Sequence, residues 1–400
     1  MRSWMQPWFK DDDHSLDYES DKKIDMISGR YNVPKSRAPL SVLADALLEA
    51  TQERTSLAFV STKHGSAIRD EFCDALLQYT NSGLDEKFGN QVYTGVHLTT
   101  SGALAVEDAI KIAMQVKPGA RNVIAFDKSY HGATFGAGSC TGEERRKYVE
   151  QNTVGFTHVK NPAEGSVEAI KDVESIIYQK GPETIACVVL EVVNTIHGLL
   201  HGNSNFFTNL QILCKANNIM LIVDEVLTGF GRTGKRFAFM NYPLQPDMIC
   251  FSKAVTNGQV PLGGVILSHN VRKHFKDKVF GVGSTYAGYP LGCAVGLQAL
   301  CWLIENEDRT HDLEQAVYDA WEQLISNGVK AKHFGLLLCI NLPDADKARQ
   351  MKQLLENEKI IVDQHDEHII MAPPFDMKPA LFHRVAQIAK NIYEKVLKLV

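Results

Sequence analysis

Between Gln91 and Ser268 short apolar runs alternate with longer helical patterns, and this alternation narrows the possible folds more than any other feature. The runs are 92-VYTGVHLT-99, 122-NVIAF-126, 154-VGFTHVK-160, 185-IACVVLEVV-193, 219-IMLIVDE-225, 248-MICFSK-253 and 263-GGVILS-268. Segments 105–116, 166–180 and 207–218 lie between them and repeat apolar residues every three or four positions, as helices do. A continuous apolar run reads as a strand buried on both faces. Strands that take turns with helices build a mainly parallel sheet. The expectation is an α/β domain with a mainly parallel central sheet sandwiched by helices. Two further helical patterns, 41–56 and 66–80, precede it. After Pro290 the character changes. A long helix over 291–307, short strands at 335–342 and 368–372 and an amphipathic close at 379–400 predict a smaller α+β domain. At 400 residues the chain is also long for one core.

Bulk charge and cysteine usage exclude several classes. A net charge of -5 argues against general binding to nucleic acid or a membrane surface. The eight cysteines fall mostly within apolar runs and form no CxxC pair, so they read as reduced core residues rather than disulfides or metal ligands. No metal site is expected. No apolar stretch reaches the roughly 18 residues of a membrane span, and the polar start 1–23 lacks the apolar centre of a signal peptide. A cytoplasmic protein is the expectation. The expectation is that no GxGxxG dinucleotide fingerprint or P-loop follows a strand, which sets a nucleotide-binding enzyme aside.

Four elements carry chemistry. Asp224 ends one buried run and Lys253 ends the next. A lysine at such a place is partly desolvated, which favours its neutral, nucleophilic form. Taken singly, Lys253 reads as a strand-end lysine reaching solvent and Asp224 as a cap or turn residue. Together they place an amine and a carboxylate at one sheet edge. Pyridoxal phosphate needs that pair: the amine for a Schiff base with its aldehyde, the carboxylate to keep its pyridine nitrogen protonated. In 99-TTSGALAVEDAIK-111 a strand runs straight into a helix, and the free amides of Ser101, Gly102 and Ala103 suit a phosphate. The plain alternative there is a serine cap with a glycine turn. In 129-SYHGATFG-136 the Tyr130 ring can stack on a planar heterocycle, with His131 and Gly132 shaping the turn; the plain alternative is a core tyrosine beside a loop histidine.

In this order the four elements resemble a class III, fold-type I pyridoxal-phosphate aminotransferase over about residues 25–374. The most specific stretches are 224-DEVLTGFGRTG-234, 251-FSKAVTNGQVPLGG-264 and 284-STYAGYPLGCA-294. The resemblance implies Lys253 as the Schiff-base lysine and proton carrier and Asp224 as the partner of the pyridine nitrogen. It implies Val226 on the ring face opposite Tyr130, Glu191 under the ring, and Ser101, Gly102 and Ala103 around the phosphate. Thr285 matches a threonine lent to the neighbouring subunit's phosphate, which implies a homodimer with shared active sites. Arg232 is similar to a structural residue. An N-terminal segment, 1–45, is expected to join the small domain and the substrate pocket; 46–288 form the cofactor domain and 289–400 the small domain.

Departures from the family pattern bear on the substrate. Leu104 stands where an acidic residue is common, and 191-EVVNTIHG-198 lacks the usual Glu-Pro. Leu227 and Ala133 replace residues typical of glutamate-using members, and 366-DEHIIMAPPFD-376 carries no arginine. The pattern leans toward the ω-amine transaminase branch. Because a bidentate arginine is the usual anchor for a keto acid, Arg30 in 27-ISGRYNV-33, with Tyr31, is the remaining candidate for the substrate pocket; its plain alternative is a surface pair. The expected reaction moves an amino group from an amine or amino acid donor to a keto acid, aldehyde or ketone. A decarboxylase, aminomutase or racemase of the same fold would share the cofactor residues.

Overall fold

The computed structural model describes residues 24–27, 64–84, 92–143, 154–375 and 377–398. Arg30, Tyr31 and the helix expected at 41–56 lie outside them. Among the described residues, seven strands form one large sheet: β1 Tyr93–Thr99, β2 Asn122–Phe126, β3 Phe156–Val159, β4 Ile185–Leu190, β5 Met220–Asp224, β6 Met248–Phe251 and β7 Gly263–Ser268. Their order across the sheet is β1-β7-β6-β5-β4-β2-β3. Strands β2 to β6 are parallel to one another, whereas β7 runs antiparallel to both β6 and β1. The reversal has a simple cause. The link from β6 to β7 is shorter than the dozen or more residues a parallel crossover needs.

Both faces of this sheet are dry. Along β5, Leu221 and Val223 join one apolar cluster while Ile222 joins the other; along β6, Ile249 and Phe251 alternate with Met248 and Cys250. That alternation is what a strand must show when successive side chains point to opposite buried faces. Helix α1 (Ala67–Ser82) precedes the sheet, and α2 (Gly102–Val116) covers one face with Ala105, Val106, Ala109, Ile110, Ile112 and Ala113. Small α3 (Phe135–Cys140) packs beside α2, and α4 (Ser166–Lys180) lies against α5 (Ser204–Ala216).

The short helix α6 (His269–His274) and the long α7 (Pro290–Glu305) lead to α8 (Glu307–Ser326) and a second sheet. Its strands are β8 Ala331–Phe334, β9 Leu337–Asn341, β10 Asp363–His365 and β11 His368–Met371, in the order β8-β9-β11-β10 and antiparallel throughout. Helix α9 (Ala345–Asn357) and the closing α10 (Pro379–Lys398) complete the region. In α10, Phe382, Val385, Ala386, Ala389, Ile392, Tyr393 and Val396 are buried, the stripe of an amphipathic helix, and it packs on α8 and α9. Among the described residues no helix is long and apolar enough to cross a membrane.

Three expectations need correction. The run ending at Lys253 is a strand only as far as Phe251, and the one ending at Val193 only as far as Leu190. Cys301 is exposed and Cys73 half-buried, so these two are not core residues. The glycines of 229-GFGRTG-234 match the dinucleotide spacing GxGxxG, but they lie in turns and open no α-helix, so no cofactor cradle of that type exists there.

Candidate active site

Because β7 is antiparallel to both neighbours, β1 points the same way as β2 to β6. The carboxyl ends of six strands therefore share one edge, where open α/β sheets bind ligands. Ser101, Gly102 and Ala103 follow β1, Tyr130 and His131 follow β2, Glu191 follows β4, Asp224 ends β5 with Val226 just beyond, and Lys253 follows β6. Asp224 is in register with Cys250 on the adjacent strand, three residues before Lys253. The edge thus gathers every expected cofactor residue of the single chain except Thr285. That residue is exposed in the turn 285–288 ahead of α7.

Asp224 is buried, and both its oxygens are engaged. Oδ2 meets Nδ1 of His131 at 2.8 Å, and Oδ1 accepts the Val226 backbone N–H at 3.0 Å. The His131 ring is wholly enclosed, and its Nε2 has no hydrogen-bond partner. Burial works against a charged imidazole here. The bonded Asp224 carboxylate outweighs it, with Glu191 adding its charge, and the histidine binds its proton more tightly than usual. Glu191 completes the group: Oε2 accepts from the Tyr130 N–H at 3.0 Å and from the Asn194 amide at 2.8 Å. Burial pushes its carboxyl up to about 7, against the opposing pull of His131 and these hydrogen bonds.

The loop after β1 closes on the same place. Ser101 caps α2, its Oγ accepting the Leu104 N–H at 3.3 Å, so the helix starts with its amides turned toward the edge. Gly102 lies directly under Val226: an added Cβ would stand 2.6 Å from Val226 Cγ1. Gly132 has φ +121 and touches Ala103, where a Cβ would come within 2.5 Å. Lys253 opens a 3-10 turn, Lys253–Thr256, with φ 49. A non-glycine residue in that left-handed region costs roughly 1–2 kcal/mol, so the surrounding structure holds it there. Ser252 helps by donating from Oγ to the Leu262 carbonyl at 2.7 Å.

Several contributors carry no local sequence signal. Asn194 is buried and donates to the Lys128 carbonyl at 2.7 Å as well as to Glu191, while its Oδ1 accepts the His197 N–H at 3.1 Å. Thr141 accepts the His131 N–H at 3.0 Å and donates to the Gly132 carbonyl at 3.1 Å. Glu225, beside Asp224, is fully buried and accepts from the Phe239 N–H at 2.9 Å and from the Thr228 hydroxyl. Burial pushes it up to about 7 as well. His131 is expected among the cofactor-binding residues, as a shaper of the turn; its bond to Asp224, which spans 93 residues of sequence, is not foreseen. Arg232 fits the structural part expected of it. It is buried, donates to the Pro373 carbonyl at 2.6 Å and lies 4.1 Å over the Phe375 ring.

Comparison with known proteins identifies the family of the chain. The model of the family "Aminotransferase class-III" matches residues 43–393. An omega-aminotransferase from Caulobacter vibrioides is 29% identical, over 83% of this chain and 81% of its own length. An acetylornithine aminotransferase from Archaeoglobus fulgidus is 31% identical, over 73% of each chain. Among solved structures, an (S)-enantioselective omega-transaminase from Thermomicrobium roseum superposes with a TM-score of 0.82 at 27% identity, covering 94% of this chain and 89% of that one. A transaminase from the marine bacterium Virgibacillus superposes with a TM-score of 0.84 at 25% identity and the same coverage. The chain belongs to the class III aminotransferases, fold-type I enzymes that use pyridoxal phosphate to move amino groups.

Proposed function

We propose that Lys253 and Asp224 are the two working ends of this transaminase and that the ω-amine branch describes its chemistry best. The observation that carries the reading is the placement of Asp224 at the end of one strand and Lys253 two residues past the end of the adjacent parallel strand, on the edge that also holds the α2 N-terminus. The residues fit the cofactor. A pyridine nitrogen suits the Asp224 carboxylate, an aldehyde suits the Lys253 amine, and a phosphate suits the helix amides beside Gly102. The missing Cβ at Gly102 is what allows Val226 and the phosphate loop to come together at all.

When bound, pyridoxal phosphate supplies a carbonyl that condenses with amines and a ring that takes up electron density. With that group in place, the Lys253 amine would hold its carbonyl carbon until a donor amine displaces it; the freed Lys253 amine would then carry the proton that leaves the donor's Cα, and the acceptor half-reaction would run the same transfers in reverse. Asp224 would keep the ring nitrogen protonated. His131, enclosed and bonded to Asp224, holds its carboxylate in place. Tyr130 and Val226 would flank the ring, and Glu191 orients the Tyr130 segment through its backbone N–H.

Thr285 serves the partner's phosphate in a homodimer, a part consistent with its exposure on the single chain. Arg30 and Tyr31, outside the described residues, serve the substrate in this reading, residues 46–288 form the cofactor domain, and the enzyme works in the cytoplasm. The donor is a small amine or amino acid and the acceptor a keto acid, aldehyde or ketone. The test is spectroscopic. Wild-type protein mixed with pyridoxal phosphate is expected to gain a visible absorption band that a Lys253→Ala variant lacks. An identical band in the variant would remove Lys253 from the reaction.

A further inference from the structure

Glu107 lies on the second turn of α2, outside every residue assigned above. One of its oxygens, Oε2, accepts three hydrogen bonds from the start of α3: the Thr134 hydroxyl at 2.8 Å, the Gly136 N–H at 2.6 Å and the Ala137 N–H at 3.1 Å. Its other oxygen faces Lys111 at 3.5 Å, and only 13% of the side chain is exposed. Thr134 occupies the cap position of α3 but makes no cap bond of its own. Its hydroxyl is used as a donor to Glu107. The cap of α3 therefore comes from another helix, through an acidic side chain of the kind a helix N-terminus prefers.

What α3 holds makes this cap more than a local detail. Just past its far end, Thr141 bonds both the His131 N–H and the Gly132 carbonyl, and the Gly142 N–H donates to the Ser129 carbonyl at 2.8 Å. The segment carrying Tyr130 and His131 is thus bracketed by the two ends of α3. The near end is tied to the helix that begins at Ser101 and Gly102. We propose that Glu107 is a positioning residue: by capping α3 from α2 it fixes the Tyr130–His131 segment, and through it the His131–Asp224 pair, against the phosphate loop. This rests on the assignment of Asp224 and the Ser101–Ala103 loop to the cofactor.

The test uses Glu107→Ala, Glu107→Gln and Thr134→Val in the full chain. In cofactor-free Glu107→Ala protein, amide exchange over 134–141 is expected to quicken about tenfold. The dissociation constant for pyridoxal phosphate, followed by absorbance, is expected to rise about tenfold, and kcat to fall about tenfold with KM within about twofold. The midpoint of the pH titration of the visible band is expected to move by about half a pH unit, because the His131–Asp224 pair has shifted. Glu107→Gln keeps an acceptor oxygen and should recover cofactor affinity to within roughly threefold of wild type. Faster exchange in Glu107→Ala with affinity and spectral midpoint unchanged overturns the proposal, since Glu107 would then stabilise α3 and nothing more. Should Glu107→Ala fail to fold, Thr134→Val decides. A rise in the dissociation constant of about threefold supports the proposal, and no change overturns it. A wild-type protein that gains no visible band would instead sink the cofactor assignment, leaving the exchange result to be read on its own.

Discussion

Gly102→Ala tests the geometry of the site with a single methyl group. The new Cβ would stand 2.6 Å from Cγ1 and 2.7 Å from Cγ2 of Val226. Carbon atoms settle about 3.5–4.0 Å apart, so the overlap is on the order of 1 Å. Val226 has little means of turning aside. It is branched at Cβ and stiff about χ1, and both its methyl groups already face the glycine. Either the strand-end segment or the phosphate loop must move. Overpacking of this kind costs about 1–3 kcal/mol, and the better helix propensity of alanine returns up to about 1 kcal/mol. The net lies between about 0 and 3 kcal/mol; its middle, about 1.4 kcal/mol, is roughly a tenfold weaker hold on pyridoxal phosphate if the loop takes the displacement. The assay is a titration of cofactor-free protein with pyridoxal phosphate, followed by absorbance. The control is the double variant Gly102→Ala, Val226→Ala, in which both offending methyl groups are gone. Its affinity should return to within about threefold of Val226→Ala alone. If Gly102→Ala binds the cofactor as wild type does, or if removing the valine methyls brings no recovery, the steric argument is refuted.

Other perturbations read the electrostatics. Glu191 and Glu225 are both held up to about 7, so the folded chain keeps protons that the unfolded chain has released above about pH 4.5. Each therefore weakens the fold as pH rises from about 4.5 to about 7, by up to roughly 3 kcal/mol at 1.36 kcal/mol per pH unit. Urea unfolding at a series of pH values should show this loss, and Glu225→Gln should flatten the slope; an unchanged slope would mean Glu225 titrates normally. His131→Ala strips a partner from the buried Asp224 carboxylate and is expected to lower kcat about ten- to hundredfold, from about 1–3 kcal/mol for a charged bond left unmade. A His131→Ala enzyme with wild-type kcat in steady-state assays would show that Asp224 needs no support.

The strands were legible because burial on two faces leaves an unmistakable run of apolar residues. All seven strands of the large sheet lie within the expected spans, and β2 and β7 coincide with them end to end. Ends were less secure. Lys253 continues an apolar run in the sequence, yet the chain turns at Ser252, because its hydroxyl is bound to the Leu262 carbonyl and the next residue takes a left-handed backbone. The direction of β7 follows from loop length rather than from composition. The residues that bear the chemistry stood out through their positions after strands. The residues that hold them did not. Glu107, Thr141, Asn194 and Glu225 act through hydrogen bonds to backbone groups, and a backbone group is the same at every position. Even His131, which touches Asp224 directly, left no trace of its partner across so long a separation.

The left-handed backbone of Lys253 carries a consequence for how such a protein ages under mutation. At φ 49 a glycine or asparagine would sit with less strain, so exchanging the lysine for either should firm the fold while ending its chemistry. Selection for sturdiness and selection for turnover pull in opposite directions at this one position. A descendant freed from the need to react would be expected to surrender its amine early and become the hardier for it.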